Sequence, residues 1–422
     1  MKNLTTDFLI VGGGIVGLSI ARALGSSFKN SKITIIEKEN GLGQHQSTLN
    51  SQVIHAGIYY DEGTHKAKLC VRGSKLLTQY CLDNKLPLLQ CGKLIVAKDE
   101  QELPWLHRFY EKGIKNGAVL ELINETQARK IEPHLAKTLK YPMIWSPNTS
   151  SGDSVAVIKQ LESDARSLNV DILCNNGFKK LISCTDDNVT IETSQGVSIS
   201  TSKLINCAGL YSDKIAKEFG EAQNYALLPL KGIFLLDKLT HQELNLKSLV
   251  YPVAPLTKSF SYLGLHTTIY PDGKAKLGPT GIPGFWREHY HGLERINFGE
   301  MREIMGTYLM ALSSAQGKGY LGSMLQQFKN YNMKRIVQEG SRLVDVYDGV
   351  DKIYKQRMIR KRPGIQAQLL DTRNYELVND FEFINRKSHL HIMNIASPGW
   401  TSGLAIGEHI NNKIIEELKM KK

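Results

Sequence analysis

The stretch DFLIVGGGIVGLSIARALGSSFKNSKITIIEK, residues 7–38, decides the fold of this chain. Its apolar run Phe8–Val11 has the length of a strand that is buried on both faces. Three glycines at GxGxxG spacing then predict a tight turn, a close backbone approach to a diphosphate and close packing of the next helix: Gly12, Gly14 and Gly17. A second strand ends at Glu37, where an acceptor for ribose hydroxyls belongs. The stretch therefore predicts a dinucleotide-binding βαβ unit.

Composition predicts an ordinary folded protein with two or three cores. The chain has 422 residues, of which 41% are hydrophobic and 22% charged. No stretch approaches the roughly twenty uninterrupted apolar residues of a membrane span. Six scattered cysteines without a CxxC pair predict neither a metal site nor a disulfide framework, and they favour the cytoplasm. The net charge of +12 is spread along the chain, which favours a solvated basic surface over a dedicated anion-binding face.

Downstream of the βαβ unit, residues 41–77 are dense in polar and aromatic side chains. Asn50, Ser51, His55 and two tyrosines lie in a segment that also contains an apolar run. If this segment is buried, its polar groups need hydrogen-bond partners, and a bound polar ring system would supply them. A satisfied core histidine is the ordinary interpretation of His55 alone. Its position directly after a dinucleotide unit favours a functional role.

Several motifs carry a resemblance to a known family. They are NSQVIHAGIYY (50–60), KAKLCVRG (66–73), CGKLIVA (91–97), INCAGLYSD (205–213), GPTGIPGFWREHY (278–290) and SPGWTSGLAIGEHI (397–410). Together they resemble the FAD-dependent L-2-hydroxyglutarate dehydrogenases/oxidases, a branch of the D-amino-acid oxidase and glycine oxidase superfamily. The matches run the length of the chain in the family's order.

The resemblance implies an α/β fold in which a Rossmann-like FAD-binding domain is interleaved with an α+β substrate domain that carries an antiparallel sheet. We expect the FAD-binding domain to comprise residues 1–85, 149–225 and 355–422. The substrate domain should comprise residues 86–148 and 226–354. The residues themselves support an amphipathic helix near 103–114 with core aromatics, a capped helix after Thr149, and a Pro-Asp-Gly turn at 271–273 between two extended segments.

FAD is the cofactor that the resemblance implies. We expect it to contact Gly12, Gly14, Gly17, Glu37, Lys38, Asn50, Ser51, Gly209, Gly399, Thr401, Ser402 and Gly403. The last four precede or begin a helix, so free N–H groups and the helix dipole can face the ring edge where negative charge develops on reduction. An ordinary Ser/Gly helix cap is the alternative for these four residues.

The implied reaction oxidises L-2-hydroxyglutarate to 2-oxoglutarate by hydride transfer from C2 to flavin N5. A base accepts the hydroxyl proton, and His55 and His266 are equal candidates because a neutral imidazole titrates near working pH. A dianionic substrate also needs fixed donors. The candidates are Tyr59, Tyr60, Lys93, Lys231, Tyr251 and Arg287, each of which could instead be a core phenol or an ordinary ion pair.

Four departures from the family's motifs leave the identity of the acid open. Lys231 and Gln366 stand where the family has arginines, Trp400 introduces a bulky ring beside the flavin, and Gln52 replaces a glycine. Oxidation of another 2-hydroxy acid or of a small amine is therefore an alternative. A tRNA-modifying flavoprotein and a cofactor-binding sensor without turnover are more distant ones, and the absence of a concentrated basic and aromatic channel predicts no nucleic-acid partner.

The electron acceptor is either oxygen or a membrane quinone. The segment 293–350 has a helical pattern and is basic through Lys318, Lys329, Lys334, Arg335 and Arg342. A solvated helical face is the ordinary interpretation of this pattern. The functional one is peripheral contact with the inner face of the membrane, at which a quinone would be reached.

Overall fold

The computed structural model describes residues 3–254 and 264–419. The strands are β1 Asn3–Val11, β2 Ile33–Ile36, β3 Val53–Ile54, β4 Leu88–Leu89, β5 Lys93–Val96, β6 Glu121–Ile123, β7 Met143–Ser146, β8 Ser150–Gly152, β9 Asp171–Leu173, β10 Phe178–Cys184, β11 Val189–Thr193, β12 Ser198–Asn206, β13 Tyr225–Gly232, β14 Leu235–Asp237, β15 Leu249–Pro252, β16 His266–Ile269, β17 Ala275–Gly278, β18 Ile282–Pro283, β19 Met358–Arg360, β20 Gly364–Asp371, β21 Glu376–Leu377, β22 Glu382–Asn385 and β23 His389–Met393. The α-helices are α1 Ile15–Ser27, α2 His65–Asp83, α3 Leu103–Lys115, α4 Glu125–Ile131, α5 Ser154–Ser167, α6 Ser212–Glu218, α7 Phe298–Ser313, α8 Gly317–Phe328, α9 Met333–Ser341, α10 Val350–Gln356 and α11 Gly399–Lys419.

The first sheet carries the dinucleotide unit. Six of its eight strands follow the order β10-β11-β12-β1-β2-β9, and β23 and β22 extend it from β12. β1 runs parallel to both β2 and β12, so that Val11 lies beside Ile36 and Asn206 at one edge. β23 is also parallel to β12 and leads into α11. The carboxyl ends of these parallel strands therefore meet at the edge where open α/β sheets bind ligands.

Helices α1, α2, α5 and α11 build the core against this sheet. Leu18 of α1, Leu77 of α2, Leu161 of α5 and Ile406 of α11 are completely buried in one apolar cluster. The predicted cap after Thr149 is Asp153, whose carboxylate accepts the N–H groups of the first turn of α5 at 2.9 and 3.1 Å. Capping of these N–H groups fixes where α5 begins.

The second sheet is almost wholly antiparallel, in the order β19-β14-β17-β16-β15-β5-β7-β6. Only β15 and β5 pair in parallel. The Pro-Asp-Gly turn joins β16 to β17 as predicted, with the N–H of Gly273 donating to the carbonyl of Tyr270 at 3.0 Å. Part of the extended segment predicted before this turn, residues 255–263, lies outside the described residues. A third sheet, β18-β13-β20-β21, pairs β13 with β20 along eight residues.

The predicted fold class is confirmed, since a sheet with parallel strands alternates along the chain with an antiparallel one. The first sheet draws its strands from residues 3–36, 171–206 and 382–393. The second draws most of its strands from residues 93–146 and 235–278, while β19 joins it from the segment predicted for the FAD-binding domain. Within the described residues, no helix combines the length and apolarity that crossing a membrane requires.

Candidate active site

A cavity of about 970 Å³ extends from the glycine turn of the first sheet to the face of the second sheet. Its volume lies at the upper end of the range for small-molecule and cofactor sites. At one end it is lined by the turn at Gly12 and by Glu37, and at the other by His55, Tyr59 and His266. The cavity therefore joins the predicted dinucleotide site to both histidines that were predicted as bases.

The glycine turn leaves no room for side chains. Gly12 has φ +110°, and a Cβ there would lie 2.5 Å from the carbonyl oxygen of Cys207. A Cβ on Gly17 would lie 2.0 Å from the carbonyl oxygen of Gly12, so this glycine serves the packing of α1 on β1. Gly14 begins α1 without a side-chain cap and lines the cavity. The N-terminus of α1, which receives no cap from Gly14 itself, and the glycine cradle fit a diphosphate.

Glu37 lies at the end of β2, where the ribose acceptor was predicted. Its Oε2 accepts the N–H of Gly13 at 2.8 Å, and its Oε1 accepts the N–H of Glu39 at 3.0 Å. These bonds hold the carboxylate against the cavity. Because each oxygen retains a second lone pair, the carboxylate can still accept hydroxyl groups from a ligand.

Lys38 also lines the cavity, but it is part of an ion-pair cluster. Its ammonium pairs with Glu39 and with Glu288, and Arg295 contacts the same two carboxylates. The Arg295 guanidinium holds the pKa of Glu39 well below its ordinary value. Possible ligand atoms of His45, Glu39 and Glu288 lie within 4.8 Å of one another, and the two basic residues already supply positive charge to them.

The loop at residues 43–51 forms a further wall of the dinucleotide end. Asn50 braces this loop, because its Nδ2 donates to the carbonyls of Gln46 and Ser47 and its Oδ1 accepts the N–H of Gln52. Ser47 was not predicted. Its Oγ accepts the N–H of Ile15 at 2.9 Å, so it contacts the first turn of α1. Ser51 and Gly209 line the cavity as well.

The start of α11 divides into residues that face the cavity and residues behind its wall. Gly399 and Trp400 line the cavity, and the Nε1 of Trp400 has no hydrogen-bond partner in the described part of the chain. Thr401 instead accepts the N–H of His55 at 3.0 Å and donates to the carbonyl of Val53. Ser402 and Gly403 are buried outside the lining, in contrast to the expected direct contacts. Their geometry supports a role in positioning the helix.

At the inner end of the cavity, His55, Tyr59 and His266 line the wall, and Tyr251 and Lys93 are buried behind them. The ring of His266 stacks on Tyr251 at 3.6 Å, and the edge of His55 approaches the same tyrosine at 6.4 Å. The Lys93 ammonium lies 4.9 Å from the ring centres of both Tyr59 and Tyr251. Among the described residues, Nδ1 of His55, Nε2 of His266 and Nζ of Lys93 have no hydrogen-bond partner. His55 and His266 line the cavity, so their two nitrogens are available to a ligand, whereas Lys93 is not part of the lining.

Burial keeps these groups uncharged or weakly charged. It lowers the pKa of His266 to about 3 and that of His55 well below its ordinary value, with the nearby Lys93 charge acting in the same direction. It also lowers the pKa of Lys93 to about 7. The inner end therefore offers neutral imidazoles as proton acceptors, and Lys93, behind its lining, can gain or lose its charge near neutrality.

Four predicted substrate residues are absent from the cavity lining: Lys93, Lys231, Tyr251 and Arg287. For Arg287 and Lys231 the contacts of the side chain also oppose a role in binding substrate. Arg287 is completely buried, and its guanidinium forms a bidentate ion pair with Asp213 at 2.6 and 2.9 Å. Lys231 lies on β13 next to Leu230, which lines the cavity. Since neighbouring residues of a strand point to opposite faces, the Lys231 ammonium lies over the ring of Tyr331 instead, 5.8 Å away.

The helix α3 contributes residues that the sequence assigned only to the core. Phe109 is buried as predicted, but both Phe109 and Trp105 also line the cavity. Phe109 meets the ring of Tyr59 edge-on at 5.2 Å. Helical periodicity identifies which face of α3 is buried and carries no signal for which cavity that face adjoins.

Three departures from the family's motifs also have a place in this geometry. Gln366 and Trp400 both line the cavity, where they can influence the choice of substrate. Gln52 has φ 58°, in the left-handed region that favours glycine, and its side chain donates to Ser154 at 2.9 Å. The left-handed backbone accounts for a glycine at this position in the motif.

A comparison with protein families matches residues 7–412 to the model described as FAD dependent oxidoreductase. L-2-hydroxyglutarate dehydrogenase, mitochondrial, of Nematostella vectensis is 33% identical over 98% of this chain and 91% of that protein. The human protein of the same name is 32% identical over 98% of this chain and 89% of its own length. The chain belongs to the L-2-hydroxyglutarate dehydrogenase family of FAD-dependent oxidoreductases. A bacterial member from Indibacter alkaliphilus is 31% identical over 94% of this chain and 96% of its own.

Solved structures agree on the fold of this FAD-dependent oxidoreductase. L-alpha-glycerophosphate oxidase from Mycoplasma pneumoniae with FAD bound superposes with a TM-score of 0.74 at 23% identity, covering 96% of this chain and 93% of that one. Glycine oxidase from Geobacillus kaustophilus superposes with a TM-score of 0.68 at 14% identity, with the same two coverages. The predicted cofactor is thus confirmed as FAD, and the glycine cradle fits its diphosphate. The individual contacts to it stay predictions.

Proposed function

We propose that this oxidoreductase converts L-2-hydroxyglutarate to 2-oxoglutarate. The observation that carries the proposal is the pair of buried imidazole nitrogens without partners, on His55 and His266, in a cavity that continues to the FAD cradle. The names of full-length relatives support the choice of substrate. When bound, FAD supplies the acceptor for the hydride that leaves C2.

The hydrogen bonds of His266 make it the better candidate for the base. Its Nδ1 lies 2.9 Å from the carbonyl oxygen of Gly264. Because a carbonyl can only accept, Nδ1 of the neutral ring carries the proton, and Nε2 presents a lone pair. The stacked Tyr251 fixes the plane of the ring. As the hydride leaves C2, Nε2 would take the hydroxyl proton, so that alcohol becomes ketone with one hydride and one proton removed.

A pKa of about 3 makes His266 a weak base in the absence of substrate. Two carboxylates entering the cavity would favour the imidazolium and raise this pKa toward the working range. His55, at the other edge of Tyr251, would donate to or accept from the substrate through its free Nδ1. Burial at this end of the cavity excludes water and strengthens these charge interactions.

The decisive experiment is anaerobic reduction of the bound flavin, followed by its absorbance in a stopped-flow instrument. L-2-hydroxyglutarate should bleach the flavin, whereas its D enantiomer, L-lactate and glycine should not. His266→Asn, which can still donate to Gly264, should slow bleaching roughly 10²- to 10⁴-fold. His291→Asn, at an exposed histidine outside the lining, is the matched control. Absence of bleaching by L-2-hydroxyglutarate would reject the function, and normal bleaching by His266→Asn would reject this base.

We further propose that electrons pass either to oxygen or to a quinone in the membrane. In the second case, a cytoplasmic protein would contact the membrane surface through α7 and α8. The outer faces of these helices expose large apolar side chains: Phe298, Met305, Leu309, Met310, Leu321 and Leu325. Residues 304–333 contain two lysines and neither Asp nor Glu, a pattern suited to an anionic bilayer. Two of the basic residues predicted for this contact are instead neutralised, Lys334 by Asp351 and Arg342 by Glu339.

Leu309→Ser/Leu325→Ser should abolish flotation with anionic vesicles, and no flotation of the parent protein would reject the contact.

A further inference from the structure

Six Lys and Arg side chains line the cavity in the described part of the chain, and four of them have carboxylate partners. Those four pairs are Lys38–Glu288, Lys112–Asp61, Lys179–Glu192 and Lys214–Glu300. Within the same described residues, Lys66 and Arg108 form no ion pair. Among the described residues, the cavity therefore presents two cations that have no direct carboxylate partner.

Lys66 is held in a position that does not favour a cation. It is the second residue of α2, where the positive end of the helix dipole lies, and it is only 5% exposed. Its ammonium lies 5.7 Å from the ring centre of Phe381. The neighbouring carboxylate of Asp380 accepts the N–H groups of His65 and Lys66, both at 2.8 Å, and forms no ion pair with the ammonium. Asp380 thus already compensates the helix terminus, and its charge acts on the ammonium without a direct ion pair. An anion in the cavity would give the lysine the direct partner that it lacks.

Arg108 lies on α3 at the open side of the cavity. It is exposed, and its guanidinium carbon lies 5.3 Å from the ring centre of Trp105, which orients the side chain. The next residue of α3 is Phe109, whose ring contacts Tyr59. The ring of Tyr59 also contacts the ammonium of Lys93 near the inner end of the cavity. A continuous row of side chains thus joins Arg108 to the proposed reaction centre.

We propose that Lys66 and Arg108 bind the carboxylate of the substrate that is remote from the hydroxyl-bearing carbon. The inference rests on the proposed function, and it assigns to these two residues the role predicted for Lys231 and Arg287. With C2 held at the imidazoles, a five-carbon diacid extends its second carboxylate away from the inner end and toward the mouth. Arg108 offers two parallel N–H donors and Lys66 a desolvated point charge, which are the groups that bind carboxylates most strongly.

The same geometry explains how a diacid would be selected over a monoacid. A substrate without the second carboxylate leaves both cations without a direct ion pair and gains nothing from them. Since Lys66 is desolvated whether or not a ligand is present, its compensation is a benefit that only the diacid obtains. These residues would therefore act on substrate binding and selectivity rather than on the chemical step.

The test measures binding of glutarate and of butyrate to the oxidised holoenzyme, through the change in flavin absorbance. Neither compound has a hydroxyl group to oxidise, and they differ by one carboxylate. Lys66→Gln and Arg108→Gln should each weaken glutarate binding by roughly ten- to a hundredfold and butyrate binding by less than about twofold. Lys68→Gln and Lys115→Gln remove exposed lysines from the same two helices outside the cavity and should change neither.

Steady-state kinetics with L-2-hydroxyglutarate should show the same division, with KM raised and kcat close to that of the parent. Equal effects on glutarate and butyrate, or unchanged glutarate binding in both variants, would overturn the assignment. Loss of FAD with unchanged glutarate affinity would place the two cations on the cofactor and would also overturn it. Glutarate binding requires no turnover, so the two proposals can fail separately. If only the assignment of Lys66 and Arg108 is wrong, L-2-hydroxyglutarate still bleaches the flavin. If only the proposed function is wrong, the variants still weaken glutarate binding as expected.

Discussion

Lys93 tests whether the inner end of the cavity is organised for a negatively charged substrate. Its side chain is completely buried, and in the described part of the chain its Nζ has no hydrogen-bond partner. Burial lowers its pKa to about 7, from an ordinary value of 10.5. We expect Lys93→Met, which keeps the volume and removes the charge, to stabilise the folded protein and to weaken binding of a carboxylate substrate.

The magnitude follows from the pKa. Below pH 7 the lysine is protonated in the folded and the unfolded protein, and the lowered pKa corresponds to a cost of about 5 kcal/mol. The variant should therefore gain up to about 5 kcal/mol at low pH. Between pH 7 and 10.5 the unfolded protein binds more protons, so the parent becomes more stable as pH rises and the difference disappears.

Thermal unfolding of the FAD-saturated proteins measures this gain. For a chain of this size, about 5 kcal/mol corresponds to a Tm increase of about 5 °C, which we expect at about pH 6 and not at about pH 10. Lys68→Met, at an exposed lysine of α2, should leave Tm unchanged at both pH values. A lower Tm of Lys93→Met at the acidic pH would refute the uncompensated charge. Undiminished binding of L-2-hydroxyglutarate would refute its role toward a carboxylate.

Three further predictions concern other parts of the site. Gly12→Ala should lose FAD and about 2–4 kcal/mol of stability, because its Cβ would lie 2.5 Å from the carbonyl oxygen of Cys207. Flavin content after gel filtration measures the first effect and Tm the second. A variant that keeps its flavin and its Tm would contradict the clash. Arg287→Met should lower the free energy of unfolding in denaturant by about 3–5 kcal/mol, because Asp213 then loses its ion-pair partner in the interior. Arg287→Met/Asp213→Leu should recover most of this loss. An equal loss in both variants would exclude the ion pair as the cause. The free energy of unfolding should fall as pH decreases from about 6.5 toward 3. Burial lowers the pKa of His266 to about 3, so over this range the unfolded protein binds more protons than the folded one. Tm should fall less steeply with decreasing pH in His266→Phe, and an identical slope would show that this histidine does not cause the effect.

Features that depend on neighbouring residues were predictable from the sequence. The strand, glycine turn, helix and second strand within residues 7–38 form as predicted, because each depends on local backbone conformation and a short apolar pattern. The cap at Asp153 and the turn at 271–273 are local in the same sense. The order of motifs along the chain was enough to identify the family and FAD, since a full-length match does not require knowledge of contacts.

The three-dimensional structure decided which charged side chains can reach a ligand. Sequence alone could not exclude Arg287, because its partner Asp213 lies 74 residues away. Nor could it establish that Lys231 turns away from the cavity, because that direction depends on the pairing of β13 with β20. Lys66 and Arg108 gained their proposed role only when folding left them without carboxylate partners.

The same division holds for the two histidines. The sequence by itself determined that His55 and His266 are candidate bases within a flavoprotein pattern. Folding brought both rings to Tyr251 and left one nitrogen of each without a partner among the described residues. The physical reason is that secondary structure and glycine turns depend on short-range interactions along the chain. Burial, charge compensation and pKa depend instead on groups distant in sequence, which only the tertiary structure brings together.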